Sequence, residues 1–211
     1  MSTYKLIAKN QSNNNGTFAV FQQTPNVKDA ENVFTLAWFT KYAYQGTEVE
    51  FTWHINYNFV WDRCGLLKPG IHFKASQHLA ADPEKGSNQI TLNYDAENDA
   101  FNFEDESTEP SALGSLLVKT TKKVPQSKNN PNYAAAVGIG MEGKGSFVVQ
   151  TQPNMLIKFE PHPTYYIIFG NYRQGEVLNV ETILGQALKI EYDRVFTRTA
   201  TLDKNNEWTL T

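Results

Sequence analysis

The amino-acid sequence predicts an all-β protein: a single large antiparallel β-sandwich, jelly-roll-like, with about thirteen strands and little or no helix. Three observations carry that expectation. The stretch TEVEFTWHINYNFVW, Thr47 to Trp61, places a large apolar residue at every second position: Val49, Phe51, Trp53, Ile55, Tyr57, Phe59 and Trp61. Strand side chains alternate between faces, so this pattern means one buried face and one wet face, with Val60 the one apolar residue on the wet side. Turn-forming residues recur at spacings of roughly 8–12 residues, as between sandwich strands. No segment sustains a helical period. Fully extended, Thr47–Trp61 would reach about 50 Å, where strands usually reach about 17–20 Å. It is therefore expected to twist, bulge or bend, or to be shared by two sheets.

The remaining elements follow in order. Thr3 to Asn10 alternates as a first strand, and QSNNNG (Gln11 to Gly16) supplies turn residues that tolerate left-handed backbone. Phe18 to Gln22 is a second strand, ended by a turn at Thr24 to Asn26. VFTLAWFTKYAY, Val33 to Tyr44, could be helical by composition, but its β-branched and aromatic residues and the Gly46 break favour a strand. A turn at Asp62 to Gly65 leads to IHFKAS, Ile71 to Ser76, read as a strand. QITLNY and FNFE flank the DAENDA turn, and LGSLLVKT supplies one strand within a long surface excursion from Glu104 to Asn132. AAAVGIGMEGKGSFVVQ reads as a hairpin turning at Glu142 to Gly145, its glycines permitting close strand packing. MLIKFEPHP, TYYIIFGNY, GEVLNVETI, ALKIEY, VFTRTATL and EWTL complete the strands.

The 211 residues are read as one domain, 1–211. Aromatic residues make up 13% of the chain, which supplies enough apolar area for a core. The net charge of −3 argues against a nucleic-acid binder, which would carry a basic excess. No apolar run approaches a membrane span, and MSTYKLIAKN lacks the apolar centre of a signal peptide. Cys64 is the sole cysteine, so no intrachain disulfide is possible. A cytoplasmic location is expected, with release by lysis or a signal-independent route left open.

Few constellations suggest chemistry. DAENDAFNFEDE sets Asp95, Glu97, Asp99 and Glu106 at the first, third, fifth and twelfth places of a calcium loop, but Ala100 replaces the glycine needed at the sixth. A solvated acidic hairpin is the plainer reading. His54, His72, His78 and His162 lack zinc-site spacing, and one cysteine cannot complete such a set. There is no G-x-S-x-G elbow, and no helix follows the glycines of VGIGMEGKG to bind phosphate. Arg63 could lower the Cys64 thiol pKa, although a lone turn cysteine is more often inert. No catalytic residue, metal or cofactor is expected.

Two groups remain as ligand or interface candidates. Tyr165, Tyr166 and Tyr172, with His162, could form an aromatic platform for a sugar or partner, since TYYIIFGNY buries both faces only if both are covered. The acidic Asp105, Glu106 and Glu109 and the basic Lys122, Lys123 and Lys128 could, if placed on different faces, guide head-to-tail association.

The blocks LAWFTKYAYQGTEVEFTWHINYNFVW, AVGIGMEGKGSFVVQTQPN, FEPHPTYYIIFGNYRQGEVL and TATLDKNNEWT resemble, in the same order, those of the bacterial RhiA-like proteins, named for rhizosphere expression. The resemblance spans Tyr4 to Trp208. It implies a small soluble protein of microbes living with hosts, and no assigned reaction. The expectation drawn from the whole sequence is a non-enzymatic, self-associating β-sandwich with a structural role in inclusions or filaments, its partner being a second copy. The alternative is a lectin-like or membrane-active host-directed effector that binds a glycan or host surface, membrane action ranking last.

Overall fold

Nearly every alternating stretch is paired into a β-ladder. The computed structural model describes residues 2–23, 26–28 (backbone only), 33–104, 112–128 and 131–211. The first strands are β1 (Thr3–Asn10), β2 (Gly16–Gln22), β3 (Asn26–Lys28), β4 (Phe34–Thr35), β5 (Phe39–Ala43) and β6 (Glu48–His54). There follow β7 (Tyr57–Asp62), β8 (Gln77–Ala80), β9 (Gln89–Asp95), β10 (Ala100–Glu104), β11 (Leu116–Thr120) and β12 (Ala136–Met141). The last are β13 (Lys144–Gln150), β14 (Leu156–Glu160), β15 (Tyr165–Gly170), β16 (Leu188–Ile190), β17 (Thr197–Leu202) and β18 (Trp208–Leu210). Among the described residues, one short helix, α1 (Val180–Ile183), and a 3-10 turn at Pro131–Tyr133 interrupt them.

The all-β class is as expected, but the strands form four sheets where one two-sheet jelly-roll was expected. Sheet A runs β18-β17-β1-β6, sheet B β16-β15-β2-β5, sheet C β10-β9-β11-β14-β3 and sheet D β4-β13-β12-β7-β8. Leu6, Phe18, Trp38, Phe51, Trp53 and Ile167 interlock between sheets A and B. Phe59, Leu92, Leu116, Ile139, Phe147 and Phe159 do the same between sheets C and D. Two layered cores result. The pairing is also mixed: β1 lies parallel to β17 and β11 parallel to β9.

The stretch Thr47–Trp61 explains the division. It breaks at Ile55–Asn56, so that β6 closes an edge of sheet A and β7 enters sheet D. The tip of the β12–β13 hairpin holds the break. Glu142 Oε1 accepts the His54 backbone N–H at 2.8 Å, and Asn56 Oδ1 accepts the Glu142 N–H at 3.0 Å. Asn58 Oδ1 accepts the Gly143 N–H at 3.0 Å. Glu142 and Gly143 have φ of 57° and 68°, the left-handed pair of a type I′ hairpin turn. A Cβ on Gly140 would stand 1.7 Å from the Lys144 carbonyl oxygen, so close strand approach requires glycine there.

Sheets B and D are covered on both faces. Ala19, Phe21 and Ile168 pack under Leu178, Val180 and Ile183, while Val60, Ala136 and Val148 pack under Leu36, Phe73 and Val177. Val60 is therefore core, and β2 and β12 are buried along their whole length. Strands enclosed on both faces read as apolar runs without alternation. The two cores are tied by Gln22 Nε2 donating to Ser146 Oγ at 2.8 Å and by Trp38 Nε1 donating to the Met141 carbonyl at 3.1 Å.

Two segments differ from expectation. Ile71–Ser76 forms only a bridge between His72 and Glu176, because the Asp62 carboxylate accepts the Lys74 N–H and the Ser76 hydroxyl in place of a ladder. The strand lies after it, at β8. GEVLNVETI is not a strand either; its second half is α1, which covers sheet B. Val33–Tyr44 is extended, with β4 and β5 and no helix. Thr24 and Pro25 of the TPN turn, and residues 105–111 of the acidic excursion, lie outside the described residues.

Candidate functional site

Adjacent residues on a strand face opposite ways, and that separates the tyrosines of TYYIIFGNY. Tyr165 enters the A–B core and is 4% exposed. Tyr166 lies on the other face of sheet B, stacked on Phe21 with ring centroids 5.4 Å apart. Tyr172 also packs on that face, against the α1 side, and burial raises its pKa. His162 is exposed between two prolines. No single platform unites these four residues.

Tyr165 instead belongs to a cleft where four elements end together. The start of β1 brings Tyr4, the end of β6 brings Ile55, and the approach to β15 brings Pro163 and Thr164. The end of β16 and the residues after it bring Lys189, Glu191 and Tyr192, closing a cavity of roughly 290 Å³. Tyr4 and Tyr192 meet edge to face at 5.0 Å, and Tyr165 and Tyr192 at 6.0 Å. Trp53 lies behind them, 4.9 Å from the Tyr165 ring. Lys189 Nζ and Glu191 Oε1 pair at 2.9 Å on the exposed rim.

The cleft wall is electrostatically unusual. Tyr192 Oη donates to the Lys5 carbonyl at 3.1 Å. Tyr165 Oη and Trp53 Nε1 are buried and make no well-directed hydrogen bond among the described residues, although the indole N–H lies near enough to the phenol oxygen to oppose part of its upward shift. Burial pushes the Tyr165 and Tyr192 hydroxyls well above the usual tyrosine range, and neighbouring tyrosines add to the shift. Outside the cleft lining, burial also pushes the Tyr57 hydroxyl up to about 12, with Tyr4 contributing. All remain neutral donors at ordinary pH. Aromatic faces with one exposed charged pair at the rim suit a hydroxyl-rich ligand.

The other candidates are more dispersed. Lys122, Lys123 and Lys128 are exposed. Lys123 is close enough to Asp95 to help lower its pKa, behind hydrogen bonds from Asn98 and from the Glu97 backbone. The described parts of the acidic and basic loops are thus neighbours, while Asp105, Glu106 and Glu109 lie outside the described residues. In the calcium-loop pattern, Asp95 Oδ1 caps its own turn by accepting the Glu97 N–H at 2.9 Å. Asp99 Oδ1 accepts from Tyr94 Oη at 2.8 Å and Arg63 at 3.0 Å. The Tyr94 bond, then Arg63, holds that carboxyl below the usual range. Among the described residues no three metal-binding side chains converge. The Cys64 thiol is pushed up to about 12, by burial first and by Asp62 second. Arg63 lies over the Tyr133 ring.

Tyr4, Lys189, Glu191 and Tyr192 were not singled out by their local sequence. Each sits in a strand-like block, and only pairing across most of the chain brings them together. The opposite facing of Tyr165 and Tyr166, and the shared face of Ile190 and Tyr192 two residues apart, were the local clues.

Fold and cleft together define an all-β protein with two layered cores and an aromatic cleft at one end. The whole chain, residues 1–211, matches the RhiA family, and the protein belongs to that family. It is 37% identical over 213 residues to Protein RhiA of Rhizobium leguminosarum bv. viciae, a match covering 97% of this chain and 84% of that one. No solved structure matches significantly. Among the described residues, no helix is long and apolar enough to cross a membrane.

Proposed function

We propose that this protein is a non-enzymatic, lectin-like carbohydrate-binding protein, with its site in the cleft of Tyr4, Tyr165 and Tyr192. One observation carries the reading: three tyrosine rings line a single cavity of roughly 290 Å³ whose rim bears the Lys189–Glu191 pair. Sugar C–H faces pack on aromatic rings, and sugar hydroxyls exchange hydrogen bonds with a charged pair held at fixed spacing. The volume sits at the lower end of small-ligand sites and suits one or two sugar rings. A panel of immobilised neutral and acidic oligosaccharides tests it. The native protein is expected to be retained by at least one, and Lys189→Ala or Glu191→Gln, both at exposed positions, to bind it about tenfold more weakly, or about 1.4 kcal/mol. Equal binding by the variants, or no retention of the native protein by any glycan, would sink the reading.

Self-association is the second reading, and it is supported by a different feature. Tyr42 and Tyr44 are 55% and 63% exposed and meet edge to face at 5.2 Å beside the outer edge of sheet B. An exposed aromatic pair on an edge strand suits contact with a second copy. On this reading the two tyrosines, rather than the charged loops, carry the contact.

A further inference from the structure

A second aromatic cleft lies at the opposite end of the β15–β16 pair. The register sets Tyr165 against Ile190 and Ile167 against Leu188, so Phe169 and the Gly185–Gln186 loop fall at the far end. From Tyr165 to Phe169 the strand advances about 13 Å. The far cleft is larger, about 530 Å³, and is lined by Phe169, Gln186, Leu202, Asn206, Glu207 and Trp208.

Its construction is that of a prepared surface. Trp208 Nε1 donates to the Gln186 carbonyl at 3.0 Å, and the indole packs 6.0 Å from the Phe18 ring, which packs 4.9 Å from Phe169. The indole is therefore anchored at its edge and backed by Phe18, which Phe169 supports in turn. The loop beside it is equally fixed. Asp203 Oδ1 accepts the Asn205 N–H at 2.8 Å and the Glu207 N–H at 2.9 Å, and Asn206 takes a left-handed φ of 61°. The Gln186, Asn206 and Glu207 side chains are exposed and form no hydrogen bond with any described group. A tryptophan platform ringed by two amides and a carboxylate matches a pyranose, whose C–H face stacks while its hydroxyls both donate and accept. Because platform and loop are already ordered, binding there sacrifices little conformational freedom.

We propose that this cleft is a second saccharide site, making one molecule a bivalent glycan cross-linker. The second site stands on its own observations, whereas the cross-linking rests on the lectin reading above. Two sites opening at opposite ends of a strand pair engage separate glycan chains, and the gain comes from avidity rather than from new contacts. The test titrates isotope-labelled protein with the methyl glycosides of glucose, galactose, mannose and glucuronic acid, following the Trp208 indole N–H and the Tyr192 backbone amide. At least one glycoside is expected to shift the indole resonance. Gln186→Ala combined with Glu207→Ala, both at exposed positions, is expected to abolish that shift and leave the Tyr192 response intact. Lys189→Ala is expected to do the converse. With the corresponding soluble polysaccharide (glucan, galactan, mannan or pectin), the native protein is expected to raise turbidity and each variant to bind without doing so. A Tyr192 response with no Trp208 response to any of the four sugars would overturn the second site and spare the first. A Trp208 response alone would overturn cross-linking and the first site. No response at either would overturn both.

Discussion

At the scale of single residues, the buried hydroxyl of Tyr165 is the most informative group. It makes no well-directed hydrogen bond among the described residues, its nearest donor being the Trp53 indole, and a poorly satisfied buried polar group costs roughly 1–3 kcal/mol. Tyr165→Phe is accordingly expected to raise stability by about 1 kcal/mol in a denaturant titration. The same burial gives the protein an alkaline limit. An unfolded tyrosine ionises near pH 10, whereas Tyr57 in the fold ionises only at about 12 and Tyr165 and Tyr192 are also raised. The folded state therefore holds these protons more tightly. Stability is complete below about pH 10 and falls as pH climbs from there toward 12. Thermal unfolding followed across that window should show the decline, and Tyr165→Phe should reduce it. Cys64, with its thiol pushed up to about 12, is expected to react slowly with alkylating reagents in native protein and readily after unfolding. The flanking Arg63 made activation conceivable from sequence, but the guanidinium reaches Asp99 and Tyr133, so burial decides the thiol's character.

At the scale of elements, the join between β6 and β7 concentrates the architecture. Asn58, 4% exposed, accepts the Gly143 N–H, so Asn58→Ala leaves a part-buried donor unmet and is expected to cost about 1 kcal/mol. Gly140→Ala forces a Cβ into the Lys144 carbonyl and is expected to cost about 3 kcal/mol. Denaturant midpoints of both variants check these values. Much of this was legible. Thr47–Trp61 was too long for one strand, and the glycine spacing of VGIGMEGKG announced a tight hairpin. What was not legible depends on distant partners. Ile71–Ser76 alternates like a strand, yet its backbone N–H groups go to scattered partners, among them the Asp62 carboxylate and the Gly175 and Trp61 carbonyls. Residues 180–183 become helical where they lie over sheet B. The cleft shares that limit, because Tyr192 meets Lys5 only once both ends of the chain enter one sandwich.

At the scale of the whole molecule, sheet edges decide how copies meet. β5 and β6, edges of sheets B and A, lie against each other, and Gln77 on β8 accepts the Phe103 N–H of β10, joining edges of D and C. Edges arranged in this way are poor templates for indefinite stacking. If the second reading holds, association runs through the exposed tyrosines beside β5. Sedimentation velocity over a wide concentration range should then show native protein growing into larger species and Tyr42→Ser/Tyr44→Ser remaining small; the same profile for both would remove that contact. The parallel pairing of β1 with β17 bears on biosynthesis as well. During translation β1 emerges before β6, which can dress one of its sides early. Its other side waits for Thr197–Leu202, made long afterwards, while the C–D core, spanning residues 59–159, can already close. A ribosome stalled before Thr197 would present an N-terminal strand with one bare flank, the kind of nascent segment a chaperone must shelter.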